Sequence, residues 1–202
     1  MHPFAPPAAT SPFSRFSPTG KVPVLIDGAQ TVWDSLAIVE YLAERHPHVW
    51  PEAAAARAWA RSAAAEMHAG FVTLRNLCPM SCGVRVRLTQ LPPALKRDIA
   101  RLDALWQDGL STFGGPWLAG PAFSAVDAFY APVVFRAQSF GLALSAPAQA
   151  WCERIRRCRR CSFGISKRWR KPGATPTMNR KCWPAASWST ISARRGRTER
   201  RA

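Results

Sequence analysis

The amino-acid sequence predicts a small α/β unit followed by a larger all-α domain. Two short apolar segments flank an Asp27-Gly28 turn signal, which is typical of a β-hairpin. Apolar residues then recur at helical spacing from residue 53 to about residue 154, and beyond that point the periodicity is lost. We therefore divide the chain into an irregular leader (1–14), a hairpin-and-helix unit (15–46), an all-helical domain (52–154) and a tail (155–202) that is expected to be disordered.

The first unit is predicted from turn, strand and helix signals in close succession. Residues 17–20 form a Ser-Pro-Thr-Gly turn, and residues 22–26 and 31–33 are predicted strands on either side of the Asp-Gly turn. Asp34-Ser35 then opens a helix with apolar residues at helical spacing, and Pro47 ends it.

The second unit is predicted to contain four helices. Long helices are expected over residues 53–77 and 93–110, and two more start at Ser124 and near Pro147. The Ser124 side chain can cap free N–H groups, and Asp127 suits the positive end of the helix dipole. We assign a structural role to both residues.

The positive charge of the chain is concentrated in its tail. The formal net charge is +16, but residues 153–202 carry 16 Lys or Arg against two acidic residues, whereas residues 1–152 carry 12 against 10. Such asymmetry indicates a separate tail rather than a nucleic-acid-binding body. The sequence lacks an apolar run long enough for a membrane span and a secretion-signal pattern, so we expect a cytoplasmic protein.

The six cysteines give no convincing metal or disulfide pattern. Only Cys158 and Cys161 have CxxC spacing, whereas a structural zinc site needs four ligands. We expect free thiols, no metal site and no prosthetic group.

Two segments resemble the glutathione transferase family. The first is Ser-Pro-Thr-Gly-Lys-Val-Pro-Val-Leu at residues 17–25, followed by Val-Trp-Asp-Ser-Leu-Ala-Ile-Val-Glu-Tyr-Leu at residues 32–42. The second includes Trp-Leu-Ala-Gly at residues 117–120 and Ser-Ala-Val-Asp at residues 124–127. The resemblance implies a partial thioredoxin-like N-terminal domain and the family's all-helical C-terminal domain.

The resemblance implies a glutathione site in the first unit. Val22, before a cis Pro23, would offer its backbone to the cysteinyl part of glutathione, although an edge-strand proline has the same pattern. Ser35 would bind the γ-glutamyl carboxylate and Asp34 its ammonium group, although both are also good helix caps. Lys21 could pair with the glycyl carboxylate, and a solvated lysine is the alternative.

Other implied features concern the second substrate and the catalytic group. Met67 and Phe71 would line a second-substrate pocket, although their spacing favours plain core. In the family the catalytic Ser, Tyr or Cys lies in a strand-helix-strand unit before the Val-Pro element, and about 16 residues before Ser17 are too few to hold it. We therefore expect an N-terminally truncated chain and assign no catalytic residue. The family also implies a homodimer.

Three functions remain open at this point. The first is conjugation or isomerisation of a small electrophile with glutathione as co-substrate, and the second is a catalytically inactive glutathione-binding remnant. The third is nucleic-acid binding through the basic, Trp-bearing tail, which is the least favoured because a tail translated in a shifted reading frame would look the same.

Overall fold

A computed structural model describes residues 11–82, 85–88 and 90–158. Within these residues, two strands form an antiparallel hairpin, and the helices that follow it along the chain enclose one hydrophobic core. The elements are β1 (Val24–Asp27), β2 (Gln30–Trp33), α1 (Ser35–Ala43), α2 (Ala54–Ala69), α3 (Val72–Leu77), α4 (Pro93–Thr112), α5 (Ala125–Phe140) and α6 (Ala146–Arg157). The predicted order, a hairpin unit followed by a helical domain, is confirmed.

Strand β1 begins two residues later than the sequence predicts, and both strands extend one residue further toward the turn. Asp27 pairs with Gln30, which leaves a two-residue loop that starts at Gly28. Gly28 has φ of 60°, a left-handed conformation that is cheap for a residue without Cβ. Pro23 precedes β1, since it has no N–H to donate to the ladder.

A cluster of exposed polar side chains ties the hairpin to the C-terminal half of α1. The Tyr41 hydroxyl donates to the Asp27 carboxylate at 2.8 Å, and Arg45 donates to Asp27 Oδ2 at 2.6 Å and to the Tyr41 oxygen at 2.7 Å. The hydrogen bonds from Tyr41 and Arg45 lower the pKa of Asp27, and the bond to Asp27 raises the pKa of Tyr41. The N-terminus of α1 lies at the other end of the helix and takes no part in this cluster.

The segment 53–77 forms two helices, and the prediction of one helix is wrong. The Gly70 N–H donates to the Glu66 carbonyl at 2.8 Å and closes α2, and Phe71 then has φ of 55° before α3 begins. A Cβ on Gly70 would lie 2.7 Å from the Glu66 carbonyl oxygen. Glycine is a poor helix former, and the alanine-rich periodicity around it concealed this break.

The buried carboxylate of Asp127 organises the start of α5. Its Oδ2 accepts the Ser124 backbone N–H at 3.0 Å, and its Oδ1 accepts the Leu118 N–H at 3.1 Å and Trp151 Nε1–H at 2.9 Å. Burial raises the pKa of Asp127, and these hydrogen bonds oppose the shift. The contacts confirm the structural role that the sequence predicts for Ser124 and Asp127.

Aromatic side chains form the centre of the helical core. The Trp106 ring lies 5.7 Å from Tyr130 and 4.7 Å from Trp151, measured between ring centroids. Gly109 lets Trp59 approach α4 closely, because a Cβ there would lie 2.4 Å from the indole ring. Helices α4, α5 and α6 are therefore joined by ring contacts rather than by aliphatic packing alone.

Helix α6 continues three residues beyond the predicted end of the helical domain. Ile155 is fully buried, so the apolar stripe of the helix extends into the segment that the sequence assigns to the tail. Residues 1–10 and 159–202 lie outside the described residues. The predictions of a disordered or nucleic-acid-binding tail, and of Cys161 as part of a CxxC pair, fall there.

The hairpin unit packs against the helical domain through α1 and α2. Arg61 makes a two-point ion pair with Glu40, with N···O distances of 3.0 and 2.9 Å, and its guanidinium lies 5.7 Å from the buried Trp50 ring. The Ala125 N–H donates to the Val49 carbonyl at 2.8 Å, which ties the connecting segment to α5. No described helix has the length and apolar character needed to cross a bilayer.

Candidate functional site

A cleft of about 450 Å³ lies where the hairpin unit meets the helical domain. The first unit supplies the loop before β1 and the N-terminus of α1, and the second supplies α2 and α3. The lining residues are Thr19, Lys21, Val22, Pro23, Trp33, Asp34, Ser35, His68 and Arg75. The five residues predicted to bind glutathione thus lie in one cleft, and their individual roles remain predictions.

Val22 presents its backbone to the cleft. The Val22-Pro23 peptide bond is cis, as the family resemblance implies, and Val22 is 55% exposed. Within residues 11–82, 85–88 and 90–158, neither the N–H nor the C=O of Val22 has a hydrogen-bond partner. An extended peptide beside this residue would therefore find one donor and one acceptor, as in the addition of a β-strand.

The buried side chain of Ser17 fixes the loop that carries Val22. Ser17 Oγ donates to the Lys21 carbonyl at 2.6 Å and accepts the Lys21 N–H at 3.1 Å. Gly20, with φ of 64°, completes the turn, and its N–H donates to the Ser17 carbonyl at 3.1 Å. Because both backbone groups of Lys21 are engaged, the next residue is held with its own backbone facing outward.

Asp34 and Ser35 form the N-terminus of α1. Asp34 Oδ1 accepts the Leu36 N–H at 2.8 Å, and the Asp34 carbonyl accepts the Ile38 N–H at 3.0 Å. Asp34 has φ of 75°, which is uncommon for a residue other than glycine and is often found at binding sites. The Ser35 hydroxyl has no hydrogen-bond partner in the described part of the chain, so it and the first helical N–H groups can bind an anion.

Two further cleft residues come from the helical domain and were not predicted. His68 Nε2 lies 3.2 Å from Asp34 Oδ2. Arg75 donates to the Met67 carbonyl at 2.9 Å and to the His68 carbonyl at 3.1 Å, which holds α3 against the end of α2. A single histidine on a helix gives no signal for a binding role, and no local signal marks Arg75, since its position depends on the break at Phe71.

Cationic side chains dominate the cleft. The Lys21 ammonium is exposed and has no ion-pair partner among the described residues, and Arg75 adds a second positive charge. Asp34 is the one carboxylate in the lining. This balance favours a ligand that carries more negative than positive charge.

Met67 and Phe71 lie in the core of the helical domain and do not line the cleft. They are 5% and 7% exposed. Met67 lies on the face of α2 that also buries Ala60, Ala63 and Ala64. Met67 and Phe71 therefore have the core role that their spacing favoured. The neighbouring face of α2, which carries His68, is the one that lines the cleft. Their assignment to a second-substrate pocket remains a prediction.

Two buried thiols of the helical domain, those of Cys78 and Cys152, are poorly suited to nucleophilic chemistry. Burial raises the pKa of Cys78 to about 11 and that of Cys152 to about 12. A thiol is reactive as the thiolate, which is scarce near neutral pH at such values. Among the residues that the structure describes, no group of three or more His, Cys, Asp and Glu is arranged to hold a metal ion.

Family models match both units of the chain. The model described as "Glutathione S-transferase, N-terminal domain" matches residues 2–45, and the one described as "Glutathione S-transferase, C-terminal domain" matches residues 85–160. Together they cover more than half of the sequence. The first match ends close to the end of the hairpin unit, and the second begins after α3 and covers the rest of the helical domain.

Similar proteins include maleylacetoacetate isomerases and a glutathione transferase. The chain is 29% identical over 143 residues to a probable maleylacetoacetate isomerase of Vibrio cholerae, covering 66% of this chain and 64% of that protein. Its fold is similar to maleylacetoacetate isomerase of Methylobacterium extorquens AM1 with bound malonate and glutathione (TM-score 0.55, 24% identity, 81% and 80% of the two chains). It is also similar to human glutathione-S-transferase T1-1 (TM-score 0.51, 27% identity, 82% and 76%).

The likeness to these proteins is partial in length. The match spans less than two thirds of the Vibrio protein and of the other curated relatives compared. The solved structures confirm the fold, a small thioredoxin-like domain followed by a helical domain.

Proposed function

The chain belongs to the glutathione S-transferase family, and from this premise we propose that it binds glutathione in the cleft between its two domains. Five residues chosen from the sequence converge on that cleft, and this observation carries the proposal. With respect to the residues that the structure describes, the cleft has an unpaired backbone donor and acceptor, an unpaired hydroxyl at a helix N-terminus, a carboxylate and an unpaired ammonium group. These groups match those of a charged tripeptide.

The proposed pose assigns one part of glutathione to each group. The γ-glutamyl carboxylate binds at the N-terminus of α1 with the Ser35 hydroxyl, and its ammonium group binds Asp34. The cysteinyl N–H and C=O pair with the backbone of Val22, which Pro23 holds in place. The glycyl carboxylate lies near Lys21, at the cationic side of the cleft.

The proposed activity is conjugation or isomerisation of a small electrophile with glutathione as co-substrate. The thiolate of glutathione would be the nucleophile, and binding would hold it beside the electrophile and raise its effective concentration. Support comes from the probable isomerase and the glutathione-bound isomerase to which the chain is similar. The proposal extends to a cytoplasmic homodimer, as is typical of the family.

The second candidate function is glutathione binding without catalysis. Two hydroxyl groups line the described cleft, those of Thr19 and Ser35. The Thr19 hydroxyl lies 3.3 Å from Ser17 Oγ, and Ser35 is assigned to the γ-glutamyl carboxylate. Neither is therefore offered as the group that activates the thiol of glutathione.

Titration calorimetry of the full chain with glutathione tests the binding proposal. Ser35→Ala removes a hydrogen bond to a charged group, so we expect the dissociation constant to rise roughly ten- to hundredfold. Ser111→Ala is the matched control, because its hydroxyl contacts only the Asp108 carbonyl at the end of α4. Equal affinities for the Ser35 variant and the parent chain would contradict the proposed pose.

Enzyme assays separate the two candidate functions. Turnover of a chromogenic electrophile, or of a cis-enone in the presence of glutathione, would support the transferase or isomerase function if Ser35→Ala lowered it. Binding of glutathione with no turnover above the uncatalysed rate would support the non-catalytic function. Absence of binding by the folded chain would refute both.

A further inference from the structure

The contact between Asp34 and His68 joins the two domains inside the cleft. Asp34 Oδ1 is already engaged by the Leu36 N–H, so Oδ2 is the atom available to a ligand. His68 Nε2 lies 3.2 Å from that same oxygen. The side chains of Asp34 and His68 are 45% and 36% exposed, so solvent protons reach both.

We infer that His68 is a positioning residue whose charge sets how strongly Asp34 binds the ammonium group of glutathione. The inference rests on the proposed glutathione-binding function. Neutral His68 leaves the carboxylate with its full negative charge. Protonated His68 is a cation on the same oxygen, and it both neutralises Asp34 and repels the incoming ammonium group.

The charged groups around His68 leave Asp34 as the shared partner of protonated His68 and of the ligand's ammonium group. From α3, Arg75 holds the His68 carbonyl at 3.1 Å, and from the loop before β1, Lys21 lines the same cleft. The other charged or titratable contacts of α2 lie elsewhere on the helix. Glu40 of α1 pairs with Arg61, Glu66 pairs with Arg101 of α4, and Tyr130 of α5 donates to the Ala63 carbonyl. Arg136 of α5 binds the carbonyl of Arg75. In the described part of the chain, Asp34 is thus the one carboxylate that faces His68.

The expected sign is weaker binding at lower pH. Histidine side chains gain their charge as the pH falls from about 8 to about 5, whereas carboxylates and alkylammonium groups keep theirs. In the proposed pose the two carboxylates of glutathione bind at Ser35 and Lys21, so the charge of His68 acts mainly on the ammonium group. That group therefore meets a neutralised partner at the acidic end of this range. Since the pair is partly exposed, we expect a loss of affinity of about two- to fivefold.

The test is calorimetric titration of the full chain with S-methylglutathione between about pH 5.5 and 7.5. The methylated thiol cannot ionise, which removes the ligand's own thiol from the pH profile. His68→Gln places a neutral amide close to the position of Nε2 and cannot gain a proton, so it keeps a polar side chain beside Asp34 and removes the charge switch. His48→Gln is the matched control, because that exposed histidine pairs with Glu52 outside the cleft.

We expect the parent chain and His48→Gln to lose affinity toward low pH, and His68→Gln to keep the same dissociation constant throughout, equal to that of the parent at the upper pH. A flat profile for the parent chain, or an unchanged slope in His68→Gln, would overturn the inference while leaving glutathione binding established. No binding by the parent chain at pH 7.5 would instead remove the proposed function, and the inference with it.

Discussion

Replacement of Asp127 by alanine should destabilise the helical domain strongly. The carboxylate accepts three well-formed hydrogen bonds, from the backbone N–H groups of Ser124 and Leu118 and from the Trp151 indole, all of them buried. An unsatisfied buried donor costs about 1–3 kcal/mol, so three could cost roughly 3–9 kcal/mol. The variant also removes a carboxylate whose burial is unfavourable, as its raised pKa indicates. We therefore expect the lower end, about 3 kcal/mol.

Urea unfolding followed by far-ultraviolet circular dichroism measures this effect. Asp127→Asn should be intermediate, with a loss of about 1–3 kcal/mol, because the amide oxygen can still serve Leu118 and Trp151 while its NH₂ group faces the Ser124 N–H. Glu153→Ala is the control: Glu153 is 57% exposed, its ion pair with Arg156 is 4.0 Å long, and the expected change is below about 0.5 kcal/mol. A change of less than about 1 kcal/mol for Asp127→Ala would refute the assignment of these hydrogen bonds as the anchor of α5.

Two further predictions concern packing and proton binding. Gly109→Ala should lower the free energy of unfolding by about 1–3 kcal/mol in the same assay. The reason is that the added Cβ would lie 2.4 Å from the Trp59 ring and 2.5 Å from the Leu118 carbonyl oxygen. An unchanged urea midpoint would contradict this close approach of Trp59 to α4. In alkaline spectrophotometric titration, the two tyrosines should ionise above their ordinary pKa of 10.0 while the chain is folded, since a hydrogen bond to Asp27 raises the pKa of Tyr41 and burial raises that of Tyr130. Their contribution to stability should be complete below about pH 10 and lost as the pH rises toward the folded-state pKa values, and tyrosinate formation at about pH 10 in the folded chain would contradict this.

The part of the site that was predictable from sequence is the part built from neighbouring residues. A helix N-terminus at Asp34-Ser35 follows from capping preferences, and the turn before Val22-Pro23 follows from Ser, Pro and Gly spacing. Each signal lies within a few residues of the group that it positions. The family resemblance then predicted that these groups bind one ligand, and in the structure they lie in one cleft.

The contributions of the helical domain could not be predicted in the same way. His68 reaches Asp34 because α2 packs against α1, a contact between residues 34 positions apart in the chain. Arg75 reaches the cleft because the backbone turns at Phe71, where periodicity alone indicated an unbroken helix. Met67 and Phe71 were placed on one face by that same assumption of continuity. The sequence pattern fixes which side chains share a helical face, but the packing of helices decides which face meets the ligand.

The groups that line the cleft are divided between the hairpin unit and the helical domain. Lys21, Val22 and Asp34 stand on one side, and His68 and Arg75 stand on the other. A ligand that contacts both sides binds more tightly when the hairpin unit is packed against the helical domain. By thermodynamic reciprocity, its binding stabilises that packing by the same free energy. Occupancy of the cleft and packing of the hairpin unit against the helical domain are therefore coupled, so a substitution that weakens one should weaken the other.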